Sequence, residues 1–145
     1  MTSVVPPSVL VFVVEDQEDI LHLIEEILTE GGFAVTVARE GEKAMTMLDA
    51  EGARYHALVT DVNLGGSLTG WDVAKHAREV NDLLPVIYMT AASAHEWGSR
   101  GVPKSVLLLK PFAMSQVLTA VSQLVTAASA AAATLSASKA PDDDA

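Results

Sequence analysis

The chain alternates between two hydrophobic patterns. Short apolar runs rich in β-branched residues are typical of strands that are covered on both faces, as in a parallel sheet. We predict five such strands, at residues 9–14, 33–38, 57–60, 85–89 and 105–109.

Helical spacing of apolar residues follows the strands. After the first strand, apolar residues recur at i, i+3, i+4, i+7 and i+8: Ile20, Leu23, Ile24, Ile27 and Leu28. This spacing predicts an amphipathic helix from Asp16 onward. Further helices are predicted before Gly52, over 71–80 and from about Ala113. Glycines at 98 and 101, with Pro103, predict a short or frayed helix between the last two strands.

Five strand–helix units predict one α/β domain with a parallel sheet, right-handed crossovers and helices on both faces. In sheets of this kind, ligands bind beyond the carboxyl ends of the strands. The residues that follow each strand are therefore the first place to look for chemistry.

Polar side chains follow four of the five predicted strands. The first strand ends in Glu15 and Asp16, the third in Asp61, the fourth in Thr90 and the fifth in Lys110. Because parallel strands end at the same edge of the sheet, we expect these five residues to converge. The remaining strand ends in Ala38-Arg39 and adds nothing comparable.

Three clustered carboxylates indicate a cation site. Like charges about 4 Å apart repel by roughly 4 kcal/mol at an effective dielectric near 20, so such a cluster either raises a pKa or holds a cation. Oxygen ligands without His or Cys suit Mg²⁺, and Mn²⁺ fits similarly. A carboxylate such as that of Asp61 can attack a phosphoryl group. A metal and a lysine can neutralise the oxygens of the transferring group while a hydroxyl donates one hydrogen bond to them.

Residues 8–126 resemble a receiver domain of the two-component response regulators. The resemblance is carried, in chain order, by the acidic pair Glu15-Asp16, by Asp61, by Thr90 and by Lys110-Pro111. The resemblance implies a flavodoxin-like sheet of strand order 2-1-3-4-5. It also implies a phosphohistidine donor, either a sensor histidine kinase or a histidine phosphotransfer protein. The protein is then a signalling module that catalyses only its own phosphorylation and dephosphorylation, and that changes its affinity for a partner or relays phosphate.

The resemblance also implies the role of each site residue. Asp61 is the phosphoacceptor, Thr90 hydrogen-bonds the phosphoryl group and Lys110 pairs with it. The implied metal ligands are Glu15, Asp16, Asp61 and the backbone carbonyl of Asn63.

One position departs from the family pattern. Leu107 stands three residues before the lysine, where the family usually has Tyr or Phe. This departure favours one alternative, a degenerate receiver that binds partners without phosphate. A second alternative is an Asp-nucleophile phosphatase. Such enzymes carry Asp-x-Asp after the first strand, whereas this chain has Glu15-Asp16-Gln17.

The composition of the chain limits the kinds of partner and the compartment that we expect. The formal net charge of −10 disfavours binding to nucleic acid or to an anionic membrane surface. The apolar run 9–14 is far shorter than the roughly 20 residues that span a bilayer. The absence of cysteine excludes disulfides and thiolate sites and fits a reducing compartment, so we expect a cytoplasmic protein.

The length of 145 residues suits one domain. We predict an N-terminal extension at 1–7, a receiver domain at 8–126 that stands alone, and an alanine-rich, acidic tail at 127–145 that is at least partly disordered. The sequence leaves open whether the last helix forms a weak homodimer.

Overall fold

Strands and helices alternate along residues 9–128, which are the residues that the computed structural model describes. The elements are β1 (Leu10–Val14), α1 (Glu18–Glu30), β2 (Ala34–Ala38), α2 (Gly41–Glu51), β3 (Ala57–Asp61), α3 (Gly70–Val80), β4 (Val86–Thr90), α4 (Trp97–Arg100), β5 (Val106–Leu109) and α5 (114–128). Short 3₁₀ turns lie at Gly52–Arg54 and Ala94–Glu96.

The five strands form one sheet in the order β2-β1-β3-β4-β5, and every neighbouring pair is parallel. This confirms the predicted fold class and strand order. The central strand β3 therefore has β1 on one side and β4 on the other, and β5 is an edge strand. The predicted extension 1–7 and most of the predicted tail lie outside the described residues, and α5 runs to the last of them.

Both faces of the sheet are covered by helices. Alternate residues of β1 point to opposite faces, as the pleat requires: Phe12 and Val14 pack with α2 and α3, whereas Val11 and Val13 pack with α1 and α5. All four are fully buried. This two-sided burial is why β1 has a continuous apolar run rather than an alternating one.

The prediction of a buried fifth strand is wrong, because the first three residues of β5 are only half-buried and the last is exposed. Leu109 is 56% exposed because β5 lies at the sheet edge and the short helix α4 does not cover it. The predicted shortness of α4, which has four residues, is confirmed. None of the helices within 9–128 has the length and hydropathy needed to cross a membrane.

Candidate functional site

Five polar residues converge at the carboxyl edge of the sheet, as predicted. Asp61 and Thr90 are the last residues of β3 and β4, Glu15 and Asp16 directly follow β1, and Lys110 directly follows β5. Carboxylate oxygens of Glu15, Asp16 and Asp61 all lie within 4.8 Å of one another. We call these five residues the acidic pocket.

Lys110 supplies the positive charge of the acidic pocket. Its Nζ lies 3.2 Å from Oδ2 of Asp61 and 3.4 Å from Oε1 of Glu15. Its backbone N–H donates to the carbonyl of Thr90 at 2.9 Å, which holds the start of the following loop beside β4. The ammonium is thereby positioned between two carboxylates that come from different strands.

Backbone amides orient both buried carboxylates. The N–H of Gln17 donates to Oε2 of Glu15 at 3.1 Å, and the N–H of Asn63 donates to Oδ1 of Asp61 at 3.3 Å. Each donor lies two residues after the carboxylate that it binds. These short-range bonds follow from the tight turn that leaves each strand, and they hold the remaining oxygens toward Lys110.

The acidic pocket is electrostatically strained without a cation. Three carboxylates against one ammonium leave two negative charges when all are ionised. Burial, and next the negative charge of Asp61, raise the pKa of Glu15 to about 7, while the Gln17 amide and Lys110 act in the opposite direction. Glu15 is fully buried, so solvent does not relieve this repulsion.

The residues present fit a hard divalent cation. All the side-chain donors are carboxylate oxygens, which Mg²⁺ prefers, and a charge of +2 matches the excess negative charge. Gly65 leaves space beside them: a β-carbon there would lie 3.3 Å from Oδ2 of Asp16, and its φ of +78° also favours glycine. Asn63 is exposed on the same loop.

Thr90 keeps a hydroxyl hydrogen available. Its Oγ1 accepts the N–H groups of Ala92 and Ser93 at 3.2 and 2.9 Å. Both of these bonds use the oxygen lone pairs, so the hydroxyl hydrogen is free to bind an acceptor in the pocket. Thr90 itself is fully buried, whereas Ala91 and Ala92 are exposed and small.

Two residues that shape the pocket were missed by sequence reasoning. Ser93 Oγ donates to Oδ1 of Asn63 at 3.4 Å, which joins the loops that follow β3 and β4. A β-carbon at Gly70 would overlap the backbone carbonyl of Asp61, so only glycine lets α3 begin so close to β3. The one sequence signal for this start is Thr69 with Asp72, which form a capping box.

The family model that matches the chain is the response regulator receiver domain, over residues 11–122. Among curated relatives, the transcriptional regulatory protein CusR of Escherichia coli K12 is 29% identical over 115 residues, which are 78% of this chain and 49% of that protein. The response regulator MprA of Mycobacterium bovis is 30% identical over 113 residues, 77% of this chain and 48% of that protein. The chain thus spans about half the length of these relatives.

Solved structures show the same likeness. A response regulator receiver protein from Sinorhizobium medicae is 40% identical with a TM-score of 0.80, and the match covers 83% of this chain and 97% of that one. The chemotaxis protein CheY4 of Vibrio cholerae is 24% identical with a TM-score of 0.71, covering 81% and 98% of the two chains, which shows a shared fold.

Proposed function

The chain belongs to the response regulator receiver domain family, and we propose that Asp61 accepts a phosphoryl group from a phosphohistidine. The donor is a sensor histidine kinase or a histidine phosphotransfer protein in the cytoplasm. Phosphorylation then changes the affinity of the protein for a partner or passes the phosphate on.

The proposed reaction is a displacement at phosphorus. A carboxylate oxygen of Asp61 attacks, a new O–P bond forms, and the N–P bond to the donor imidazole breaks. The imidazole nitrogen leaves with the bonding electron pair and takes a proton from solvent. The product is an acyl phosphate on Asp61, and no general base is needed because a carboxylate nucleophile has no proton to lose.

The acidic pocket supplies the charge that this displacement needs. Lys110, already 3.2 Å from Asp61, neutralises part of the charge on the phosphoryl oxygens. Thr90 donates its free hydroxyl hydrogen to one of these oxygens. The N–H group of Asn63 keeps the Asp61 carboxylate oriented during the attack.

The same proposal assigns the metal ligands. Glu15, Asp16 and Asp61, with the backbone carbonyl of Asn63, would hold Mg²⁺ or Mn²⁺. When bound, such an ion offsets the negative charge of the carboxylates and of the phosphoryl group. Lys110 and the backbone N–H of Asn63 orient Asp61 without a metal ion. The excess negative charge of the acidic pocket, however, opposes the approach of an anionic donor.

One observation carries the proposal: a single lysine touches both Asp61 and Glu15, which come from adjacent strands. A structural aspartate at a strand end needs one partner. The clustered carboxylates, with one lysine and one buried hydroxyl, match the demands of phosphoryl transfer instead.

The test uses small phosphodonors. With Mg²⁺, acetyl phosphate and phosphoramidate, which has the P–N bond of a phosphohistidine, are expected to add one phosphoryl group that is measured by intact mass. The Asp61→Asn variant removes the acceptor, and EDTA removes the labelling. Asp82→Asn changes an exposed aspartate beyond α3 and is expected to label like the unchanged protein, which makes it the matched control.

A second candidate is a receiver that binds its partners without phosphate. Leu107 in place of the usual aromatic residue and the four-residue helix α4 favour it. Failure of both donors to label the folded protein, together with no measurable Mg²⁺ affinity, would select this candidate and exclude the first.

A further inference from the structure

The loop between β3 and α3, residues 62–69, contacts two carboxylates of the acidic pocket. The N–H of Asn63 donates to Oδ1 of Asp61 at 3.3 Å. Gly65 lies next to Asp16, because a β-carbon at position 65 would be 3.3 Å from Oδ2 of that carboxylate. Asp61 ends β3 and Asp16 follows β1. The position of this one loop therefore bounds the space between carboxylates that come from two strands.

The middle of the loop has little stiffness of its own. Gly65 and Gly66 are adjacent and exposed, and glycine has more backbone freedom than any other residue. The shape of the acidic pocket on this side therefore depends on the contacts that hold the loop before and after the two glycines.

The core and the start of α2 provide these contacts. Before the glycines, Leu64 is 5% exposed and packs in the core. After them, Oγ of Ser67 donates to Oε2 of Glu42 at 2.9 Å. Leu68 packs on the buried Gly41, where a β-carbon would lie 2.8 Å from Cβ of Leu68. We call Gly41, Glu42, Ser67 and Leu68 the loop clamp.

The loop clamp holds one side of the acidic pocket from a distance. Its two helical members begin α2, which carries none of the five pocket residues. Its two loop members come directly before Thr69, the N-cap of α3. Both ends of the Gly65-Gly66 segment are thus fixed, and the loop is held beside Asp16.

A pocket with a fixed side discriminates between cations by size. Mg²⁺ requires nearly octahedral oxygen ligands at about 2.0–2.1 Å, whereas Ca²⁺ accepts about 6–8 oxygens at roughly 2.3–2.6 Å in adaptable arrangements. We propose that the loop clamp makes the acidic pocket selective for Mg²⁺ over Ca²⁺. Its members are positioning residues, which act through Asp16, Asp61 and the Asn63 backbone. This inference rests on the metal-binding part of the proposed function.

The experiment measures the affinity of the full chain for MgCl₂ and for CaCl₂ by calorimetry, without a phosphodonor. The unchanged protein is expected to bind Mg²⁺ more tightly. In Ser67→Ala and in Glu42→Ala the Mg²⁺ affinity is expected to fall by about tenfold, as for other residues that orient metal ligands. The Ca²⁺ affinity is expected to fall less or to rise, because a released loop can move outward. Partial unfolding would instead lower both affinities together, so the Mg²⁺/Ca²⁺ affinity ratio is the readout.

Gly41→Ala opens the clamp by adding an atom. The new β-carbon displaces Leu68, while alanine itself favours a helix, so the affinity ratio is expected to fall as in Ser67→Ala. Gly98→Ala, where nothing lies within 4 Å of the added β-carbon, is the matched control. Glu40→Ala removes the same charge as Glu42→Ala from an exposed residue just before α2. Both controls are expected to keep the ratio of the unchanged protein.

The outcomes separate this inference from the proposed function. Mg²⁺ binding with the same affinity ratio in the unchanged protein, Ser67→Ala and Glu42→Ala would overturn the inference and leave the proposed function intact. Equal affinity of the unchanged protein for the two ions would do the same. Absence of Mg²⁺ binding by the unchanged protein would overturn both the inference and the proposed metal site. Ser67→Ala changes a single exposed hydroxyl, so the test does not depend on the folding of Gly41→Ala.

Discussion

The ammonium of Lys110 lies 3.2 Å from the carboxylate of Asp61, although 49 residues separate them in the chain. The same ammonium lies 3.4 Å from Glu15, which is 95 residues away. The two carboxylates are buried and Lys110 is mostly so. The stability of the sheet edge and the chemistry of the acidic pocket therefore depend on the same lysine.

Lys110→Ala tests this double role. The substitution leaves Glu15 and Asp61 without their cation, and removing one partner of a buried ion pair costs about 3–5 kcal/mol. We expect a lower free energy of unfolding in urea, acyl phosphate formation slower by ~10²-fold, and tighter Mg²⁺ binding because the site is more negative. Tighter binding distinguishes this reading from simple collapse of the site, which would weaken Mg²⁺ binding. Lys43→Ala, at an exposed position on α2, is the control.

Glu15→Gln separates stability from metal binding. The pKa of Glu15 is raised from 4.5 to about 7 in the folded protein, so its ionisation opposes folding above pH 7, and the opposition fades as pH falls toward 4.5. In EDTA at pH 8 the variant is expected to be more stable than the unchanged protein, and the difference is expected to shrink by pH 5. Mg²⁺ affinity, measured by calorimetry, is expected to fall. A difference that grows toward pH 5 would contradict this assignment.

His76 links α2 with α3 and predicts a second pH effect. Its Nε2 lies 2.7 Å from Asp49 and its Nδ1 3.3 Å from Glu79. The hydrogen bond to Asp49 is the main cause of a pKa raised above 6.5. The stabilisation is therefore complete below pH 6.5 and is lost as pH rises through the raised pKa.

The measurement for His76 is urea denaturation of His76→Gln at several pH values. Its loss of stability relative to the unchanged protein is expected to be larger at pH 5.5 than at pH 9. His95→Gln changes an exposed histidine and serves as the control. Equal losses for His76→Gln at both pH values would refute the prediction.

Two buried tyrosines predict opposite effects of the same substitution. Within residues 9–128 the hydroxyl of Tyr55 has no hydrogen-bond partner, and its ring stacks on Phe12. Tyr55→Phe is therefore expected to leave stability unchanged or raise it. Tyr88→Phe leaves the N–H of Val102 unpaired and is expected to lower stability by about 0.5–1.5 kcal/mol. Thermal unfolding of the two variants side by side checks the difference.

Two glycines make a similar matched pair. Gly70→Ala forces the start of α3 against the carbonyl of Asp61, so we expect lower stability and slower labelling of Asp61. Gly98→Ala adds a β-carbon where nothing lies within 4 Å, and alanine in a helix is favoured by up to about 1 kcal/mol. Equal behaviour of both variants in thermal unfolding and labelling would show that the close approach at Gly70 is unimportant.

Local patterns in the sequence predicted the elements because local forces determine them. An apolar run such as 9–14 requires burial on both faces, and glycines near 98 and 101 weaken a helix whatever packs around it. The prediction that the fifth strand is buried failed, most clearly at Leu109. The exposure of this residue depends on which strand is at the edge of the sheet and on how far α4 extends. Neither is encoded near Leu109 in the sequence.

The sequence by itself determined that Glu15, Asp16, Asp61, Thr90 and Lys110 lie at one edge, because parallel strands all end on the same side. Only the tertiary structure decided that one ammonium touches two carboxylates and that Glu42 of α2 bonds Ser67 of the loop after β3. It also decided that the Tyr88 hydroxyl finds a hydrogen-bond partner, while the Tyr55 hydroxyl has none among residues 9–128. The reason is the separation along the sequence. Strand and helix patterns involve residues a few positions apart, whereas these contacts depend on how distant segments pack against one another.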